Sequence, residues 1–158
     1  MESKMWYERK QPLRFRVWDG SAFAYECRLV VDENGAQVIG EDGLPRENVQ
    51  LQEWTGCLDN EKREIYEGDY LMLLEELGWI GAVVFSGGEF WCRDDKGYYS
   101  SMVTFEDGLV VGNVFQGIDR SLVEREVRKR TSDEKKVDEI MAGYAREYGN
   151  ALEAWEDK

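Results

Sequence analysis

The stretch Trp54–Leu71, WTGCLDNEKREIYEGDYL, joins two halves of a chain whose residue pattern is mainly β. It begins with an aromatic residue and a Thr-Gly turn, continues through a charged loop, and ends in Glu67-Gly68-Asp69 before a hydrophobic run. We expect Gly68 to supply an irregular backbone angle at the start of a strand. The stretch contains no residue set with a recognisable reaction, so we interpret it as a junction between two β units.

Upstream of this junction, the alternation of apolar and polar residues predicts a β meander. Leu13–Asp19 has apolar residues at every second position, as in a strand with one buried face, and the pattern places Trp18 on the polar side. The pair Asn34-Gly35 suits the tight turn of a hairpin. Further strands are predicted at Phe23–Val31, Ala36–Ile39 and Val49–Trp54.

Downstream of the junction, five short apolar runs follow one another with acidic or glycine-containing turns between them. Turns spaced about every 8–12 residues, with no long helix between the runs, predict a small antiparallel barrel or sandwich and argue against parallel βαβ units. The predicted strands are Tyr70–Leu74, Trp79–Phe85, Glu89–Arg93, Tyr98–Phe105 and Leu109–Phe115.

After Gly117 the apolar period changes to that of a helix, which predicts a helical tail. Ser121 with Glu124, and Thr131 with Glu134, have the spacing of capping boxes. Such an amphipathic helix needs a partner surface to be stable. The tail could dock on the body of its own chain or pair with the same helix of a second copy, and the sequence leaves both open. The candidate oligomer face consists of Val137, Met141, Tyr144, Tyr148 and Trp155.

The charge balance limits the partners that this chain can have. Its 158 residues include 33 acidic and 20 basic side chains, for a net charge of −13. Because nucleic-acid-binding proteins place Lys and Arg against phosphates, we expect no direct binding of nucleic acid. The surplus lies mostly before the tail, since residues 1–116 hold 22 acidic and 11 basic side chains. This surface either keeps the protein soluble or is offered to a basic partner as a mimic of DNA.

The chain contains no histidine, which removes the commonest general base, the usual nucleophile–base pairs and most zinc sites. We therefore expect no enzyme, no cofactor and no metal site. A small carboxylate-based hydrolase would need two acids that converge in a cleft. Most acidic pairs instead lie in turn-like segments, where solvated charge is expected: Asp32-Glu33, Glu41-Asp42, Asp94-Asp95 and Glu106-Asp107.

Cysteine usage and hydropathy indicate the compartment. Cys27, Cys57 and Cys92 are too far apart for a redox or zinc motif, so we expect three reduced thiols. No apolar run reaches the length of a membrane span, and the N-terminus lacks the apolar centre of a secretory signal. These features predict a cytoplasmic protein without a membrane partner.

Several blocks together resemble a known family. They are Phe15–Asp19, Trp54-Thr55-Gly56, Asp59, Glu64–Asp69 and Val111–Phe115. In order and spacing these blocks are similar to the YopX family of phage and prophage proteins. The text from the Thr-Gly pair to the Glu-Gly-Asp triplet is the most specific part of the resemblance.

The resemblance covers roughly residues 13–116 and does not extend to the tail. It implies a mainly β protein whose C-terminal half is similar to an SH3-like barrel, in agreement with the five predicted strands. It also implies a phage or prophage origin and hence a bacterial cytoplasm. It brings no activity or catalytic residue, because a small barrel of this kind does not by itself define a function.

We therefore expect an N-terminal β region at 1–64, an SH3-like barrel at 65–116 and a helical tail at 117–158. The expected function is that of a non-enzymatic, phage-type accessory protein that binds a protein partner and could form a homo-oligomer through its tail. The alternatives are an acidic decoy that occupies a DNA-binding protein and, ranked last, the carboxylate-based hydrolase. The candidate protein-binding residues at the junction are Trp18, Trp54, Tyr66 and Asp69.

Overall fold

A computed structural model describes residues 14–75 and 79–156, without the side chains of 103 and 152–156. The fold is mainly β and ends in helix, which confirms the predicted fold class. The chain divides into two compact units, Met1–Trp54 and Thr55–Lys158, which we call the first and the second unit. Leu13, the first residue of a predicted strand, lies outside the described residues.

The first unit contains two separate sheets. Its strands are β1 (Phe15–Trp18), β2 (Phe23–Ala24), β3 (Arg28–Asp32), β4 (Gly35–Ile39), β5 (Pro45–Arg46) and the beginning of β6 (Gln50–Leu58), which continues into the second unit. β1 pairs antiparallel with β2 and with β6. β3, β4 and β5 form an antiparallel sheet of their own, called here the three-stranded sheet.

The predicted alternation along β1 is wrong, because all four of its residues are buried. The Nε–H of Arg16 donates to Gln52 Oε1 at 2.9 Å, and the guanidinium lies 4.0 Å from the centre of the Phe23 ring. Trp18 packs on the same ring, with 4.9 Å between the ring centroids. Arg16 can be buried here because a side-chain oxygen and an aromatic face accept its planar cation.

The predicted strand Phe23–Val31 is two strands, because its ends pair with different partners. β2 pairs with β1, whereas β3 pairs with β4. The predicted hairpin between β3 and β4 is confirmed: Asp32 Oδ1 accepts the backbone N–H of Asn34 at 2.7 Å, and Gly35 takes a φ of 112°, which glycine adopts without strain.

The further strands of the second unit are β7 (Glu64–Tyr66), β8 (Asp69–Leu73), β9 (Ile80–Ser86), β10 (Glu89–Arg93), β11 (Tyr99–Ser101), β12 (Gly108–Asn113) and β13 (Gly117–Ile118). The last six of these form one sheet in the order β11-β10-β9-β8-β12-β13, antiparallel throughout, which curls into a half-barrel. Two helices follow, α1 (Arg120–Arg130) and α2 (Glu134–Glu156).

The predicted strand Tyr98–Phe105 ends early. After β11 the chain forms a 3-10 helix over Met102–Asp107. The Thr104 hydroxyl donates to the Ser101 carbonyl at 2.8 Å and lies 2.6 Å from the Ser100 hydroxyl. Such local bonds from Ser and Thr side chains compete with pairing between strands, and apolar content alone does not reveal them.

Both predicted capping boxes are wrong, because an aspartate caps each helix. Asp119 Oδ1 accepts the N–H of Leu122 at 3.1 Å at the start of α1. Asp133 Oδ1 accepts the N–H of Lys135 at 3.1 Å at the start of α2. Aspartate accepts these early helical N–H groups at least as well as serine or threonine. Thr131 instead stands at the C-terminal cap of α1.

The helix α2 kinks at Tyr148, whose φ of −126° and ψ of 25° are not helical. The Tyr148 hydroxyl donates to the carbonyl oxygen of Ile80 in β9, which fastens the kinked turn to the sheet. No helix among the described residues is both long enough and apolar enough to cross a membrane.

Candidate functional site

The buried carboxylate of Asp59 fixes the charged loop of the junction. The backbone N–H groups of Glu61 and Arg63 donate to its Oδ1, both at 2.9 Å. The N–H of Val110 in β12 donates to Oδ2 at 3.0 Å, and Arg63 Nε–H donates to the same oxygen at 3.2 Å. With four donors on two oxygens, Asp59 holds its loop against a strand 51 residues away and has no role left as a ligand.

A second carboxylate and a glycine fix the end of the junction. Asp69 Oδ2 accepts the N–H of Tyr66 at 2.8 Å, which closes the turn between β7 and β8. Gly68, at a φ of 86°, donates its N–H to the Val83 carbonyl and accepts the N–H of Val114, each at 2.8 Å. Three separate segments therefore meet at one residue that has no side chain.

The four predicted protein-binding residues are divided between the units, with Trp18 and Trp54 in the first, and Tyr66 and Asp69 in the second. Trp18, Tyr66 and Asp69 are buried, whereas Trp54 is half-buried with the Arg14 guanidinium 4.8 Å from its ring centre. Each contributes to packing or to a turn inside its own unit. Their assignment to a binding surface stays a prediction.

The predicted oligomer face of the tail packs inside its own unit. Val137, Met141, Tyr144 and Tyr148 are buried and share one hydrophobic cluster with residues of the sheet and of α1. The Tyr148 ring also meets that of Tyr70 edge to face, with 6.2 Å between the centroids. The sequence left open whether the tail docks on its own chain or pairs with a second copy. In the structure, these four residues pack against their own chain. The Trp155 side chain lies outside the described residues.

The acidic pairs lie on separate turns and helix ends, and one of their members is buried. Asp94 is buried, with its Oδ1 accepting the N–H groups of Lys96 and Tyr98 and its Oδ2 accepting the Trp79 indole N–H at 3.0 Å. Seven other members are exposed: Asp32, Glu33, Glu41, Asp42, Asp95, Glu106 and Asp107. In the part of the chain that the structure describes, no group of three or more Cys, Asp or Glu side chains is arranged to hold a metal.

The second unit contains a cleft of about 700 Å³ between strands β8–β10 and the kinked part of α2. Tyr70 and Arg93 line it from the sheet, and Arg146 and Tyr148 line it from the helix. At its border Glu147 pairs with Lys96 at 3.1 Å. The lining thus mixes both signs of charge with small apolar side chains.

The two tyrosines of the cleft keep their protons at neutral pH, and so does a cysteine of the core. Burial raises the pKa of the Tyr70 hydroxyl, and it raises that of Tyr148 still more. Both phenols are therefore protonated at neutral pH and do not act as bases. Burial also raises the pKa of the Cys92 thiol to about 12, so this cysteine is an apolar core residue and no nucleophile.

The three-stranded sheet of the first unit exposes several apolar side chains. All five residues of β3 are exposed, among them Val31 at 71% and Leu29 at 39%. The register sets Leu29 opposite Val38 and Val31 opposite Ala36, so these four side chains share one face. Sequence reasoning predicted the hairpin but missed the exposure of this face. The signal available was a run of three aliphatic residues between two opposite charges.

The comparisons with known proteins give structural likeness and no match of sequence. No family model and no curated protein matches the chain. Among solved structures, it is similar to the crystal structure of protein EF1440 from Enterococcus faecalis, with 15% identity and a TM-score of 0.42, over 66% of this chain and 94% of that one. At that identity and TM-score, the likeness supports neither a family nor a function for this chain.

Proposed function

We propose that the chain is a non-enzymatic accessory protein of a phage or prophage, which acts in the bacterial cytoplasm by binding another protein through the apolar face of the three-stranded sheet. The resemblance to the YopX family supports the phage setting. The observation that carries the binding role is an aliphatic face on which Leu29, Val31 and Ala36 are exposed beside the half-buried Val38.

An uncovered face of this kind calls for a partner on energetic grounds. Burying apolar surface stabilises by about 25 cal/mol per Å², and a small antiparallel sheet needs one packed face to be stable on its own. Exposed aliphatic side chains that adjoin one another mark interaction surfaces in soluble proteins. Val31 and Leu29 lie side by side on the sheet, and they are 71% and 39% exposed.

The surrounding charge indicates the chemistry of the partner. Residues 14–54 carry eight acidic and four basic side chains. A protein with an apolar strip bordered by Lys or Arg is therefore the complementary partner. The apolar strip would supply most of the affinity, and the bordering charges would speed the encounter and exclude acidic competitors.

A charged side chain placed on the face tests the proposal. Ala36→Lys puts an ammonium opposite Val31 and next to Val38 without touching the outer edge of the sheet. Ala142→Lys, at an exposed position of α2, is the matched control. With tagged protein in prophage-bearing cells, we expect one partner that the parent and Ala142→Lys capture in equal amounts and that Ala36→Lys captures at least about tenfold less.

Two results would contradict this assignment. Equal capture by Ala36→Lys and Ala142→Lys would show that the face is not the binding surface. Capture that is insensitive to Ala36→Lys and falls steeply with salt would favour the acidic decoy instead, because screening weakens charge contacts far more than apolar ones.

A further inference from the structure

The outer edge of β3 differs from the other features of the three-stranded sheet. β3 stands at the end of the order β3-β4-β5, so among residues 14–75 and 79–156 no strand pairs with its outer side. Its five residues, Arg28-Leu29-Val30-Val31-Asp32, are all exposed. A regular strand with free N–H and C=O groups on one side is a template for another strand. Natural proteins protect such edges with proline, with a bulge or with a cover, and β3 contains no proline.

The charges at the two ends of β3 determine what can pair with it. Arg28 and Asp32 have opposite signs and flank three aliphatic residues. If a second β3 lies antiparallel with Val30 opposite Val30, each Arg28 faces an Asp32 and each Leu29 faces a Val31. Opposite charges across an antiparallel pair are stabilising and like charges are destabilising. A parallel, in-register pair would instead place Arg28 on Arg28, so charge favours the antiparallel arrangement.

We propose that a second copy of this chain binds along β3 by antiparallel strand pairing about a two-fold axis at Val30, which joins two three-stranded sheets into one of six strands. The interface is isologous, because each copy offers the same strand to the other. The inference goes beyond the proposed function, since it concerns the edge of the sheet and not its apolar face. Arg28 and Asp32 alternate with Leu29 and Val31 along the strand and so lie on the opposite face.

Mass in solution gives the first test. The chain has a mass of 18.4 kDa, and we expect sedimentation equilibrium to give twice this value for the parent. Arg28→Asp sets two negative charges against each other at both ends of the paired strands, and Asp32→Arg sets two positive charges there. Each variant alone should raise the dissociation constant of the dimer by about tenfold or more.

Mixing the two variants gives the decisive test, because the dimer returns only if both variants are folded and their charges are complementary. In a mixed pair, both ends again join opposite charges, so an equimolar mixture of Arg28→Asp and Asp32→Arg should regain the dimer mass as a heterodimer. Asp32→Arg also removes the bond from the Asn34 N–H. Mixing does not restore that bond, so a recovered dimer reports the strand pairing alone.

Two control variants distinguish an effect at the outer edge of β3 from an effect at the neighbouring turn or apolar face. Glu33→Arg makes the same change of charge one residue later, in the turn, and should leave the dimer mass unchanged. Ala36→Lys alters the apolar face and should also remain dimeric, so loss of partner capture and loss of the dimer are independent results. A monomeric parent, a dimer that resists both single variants, or a mixture that stays monomeric would each overturn the inference.

Discussion

The two units use the same kinds of side chain in opposite ways. In the second unit, Leu71 and Leu109 are 0% and 1% exposed. Leu71 lies in the core between the half-barrel and the 3-10 helix, and Leu109 lies in the core between the half-barrel and the α-helices. In the three-stranded sheet of the first unit, Leu29 and Val31 remain at 39% and 71%. Composition does not separate these regions, since both consist of short strands with aliphatic residues and acidic turns.

The contrast shows that one unit completes its own core and the other offers apolar surface outwards. In the second unit, the helices α1 and α2 supply Val123, Val127 and Val137 to cover the sheet. Leu29 and Val31 in the three-stranded sheet have no comparable cover among the residues that the structure describes. The proposed roles follow from this difference, with stability concentrated in the second unit and binding in the first.

The largest expected effect is on the free energy of unfolding when one leucine is replaced in the half-barrel and one in the three-stranded sheet. Leu109→Ala should lower the free energy of unfolding by about 2–5 kcal/mol, because it empties a fully packed site. Leu29→Ala should cost less than about 0.5 kcal/mol, as is usual for exposed positions. Urea unfolding followed by circular dichroism measures both. Equal losses would mean that the three-stranded sheet is as well packed as the half-barrel.

The polar clamp of the junction is expected to matter almost as much as the core. Asp59→Ala leaves the N–H groups of Glu61, Arg63 and Val110 without their acceptor, which should cost about 3 kcal/mol. Asp95→Ala, at an exposed acid on a turn, should cost less than about 0.5 kcal/mol. The same urea titration compares them. A loss below about 1 kcal/mol for Asp59→Ala would show that the loop is held by other contacts.

The buried thiol gives the second unit a sensitivity to alkali. Burial raises the pKa of Cys92 from 9.0 to about 12, so the folded state keeps a proton that the unfolded state releases. The contribution of this group is therefore complete below pH 9 and is lost as pH rises from 9 towards 12. Between pH 8 and pH 10 we expect a loss of about 1 kcal/mol in the free energy of unfolding.

Cys92→Ala identifies the source of this loss. In that variant the fall between pH 8 and pH 10 should be smaller by the contribution of the thiol. The pKa values of Tyr70 and Tyr148 are also raised, but from an ordinary value of 10.0, so their effect begins at higher pH. An unchanged fall in Cys92→Ala would assign the sensitivity to other groups.

The smallest expected effect concerns the fastening of the kinked helix. Tyr148→Phe keeps the ring against Tyr70 and removes only the hydroxyl that donates to Ile80. One such bond contributes about 1 kcal/mol net. Tyr99→Phe, at an exposed tyrosine, serves as the control, with no measurable change expected. Hydrogen exchange of the Tyr148–Ala151 amides should also rise in Tyr148→Phe alone, and unchanged exchange would argue that packing holds the kink.

Much of the fold could be predicted from local pattern. The hairpins of the second unit follow alternating apolar runs and glycine turns, and the Asn34-Gly35 turn lies where its chemistry places it. Several errors occur where side chains bond locally. Thr104 turns a predicted strand into a 3-10 helix, and Asp119 and Asp133 cap the helices in place of the predicted serine and threonine.

The candidate site was harder to predict, because exposure is a tertiary property. The run Leu29-Val30-Val31 has the composition of a buried strand, but it is exposed. The local sequence does not reveal whether another element covers it. Trp18 and Tyr66 are aromatic residues of the kind found in binding surfaces. They are nevertheless buried, because neighbouring strands cover them. Aromatic content alone does not indicate which side chains will meet solvent.

Gly68 also has a consequence for the order in which the chain can fold during synthesis. Its carbonyl accepts the N–H of Val114, which leaves the ribosome 46 residues later, and Asp59 waits in the same way for Val110. At about 5–20 residues per second, the junction stays incomplete for roughly two to nine seconds after it has been made. The junction Trp54–Leu71, the most distinctive stretch of the sequence, is therefore among the last to acquire its native bonds. The three-stranded sheet is synthesised earlier and forms from neighbouring residues, so it is ready to meet a partner before the second unit has closed.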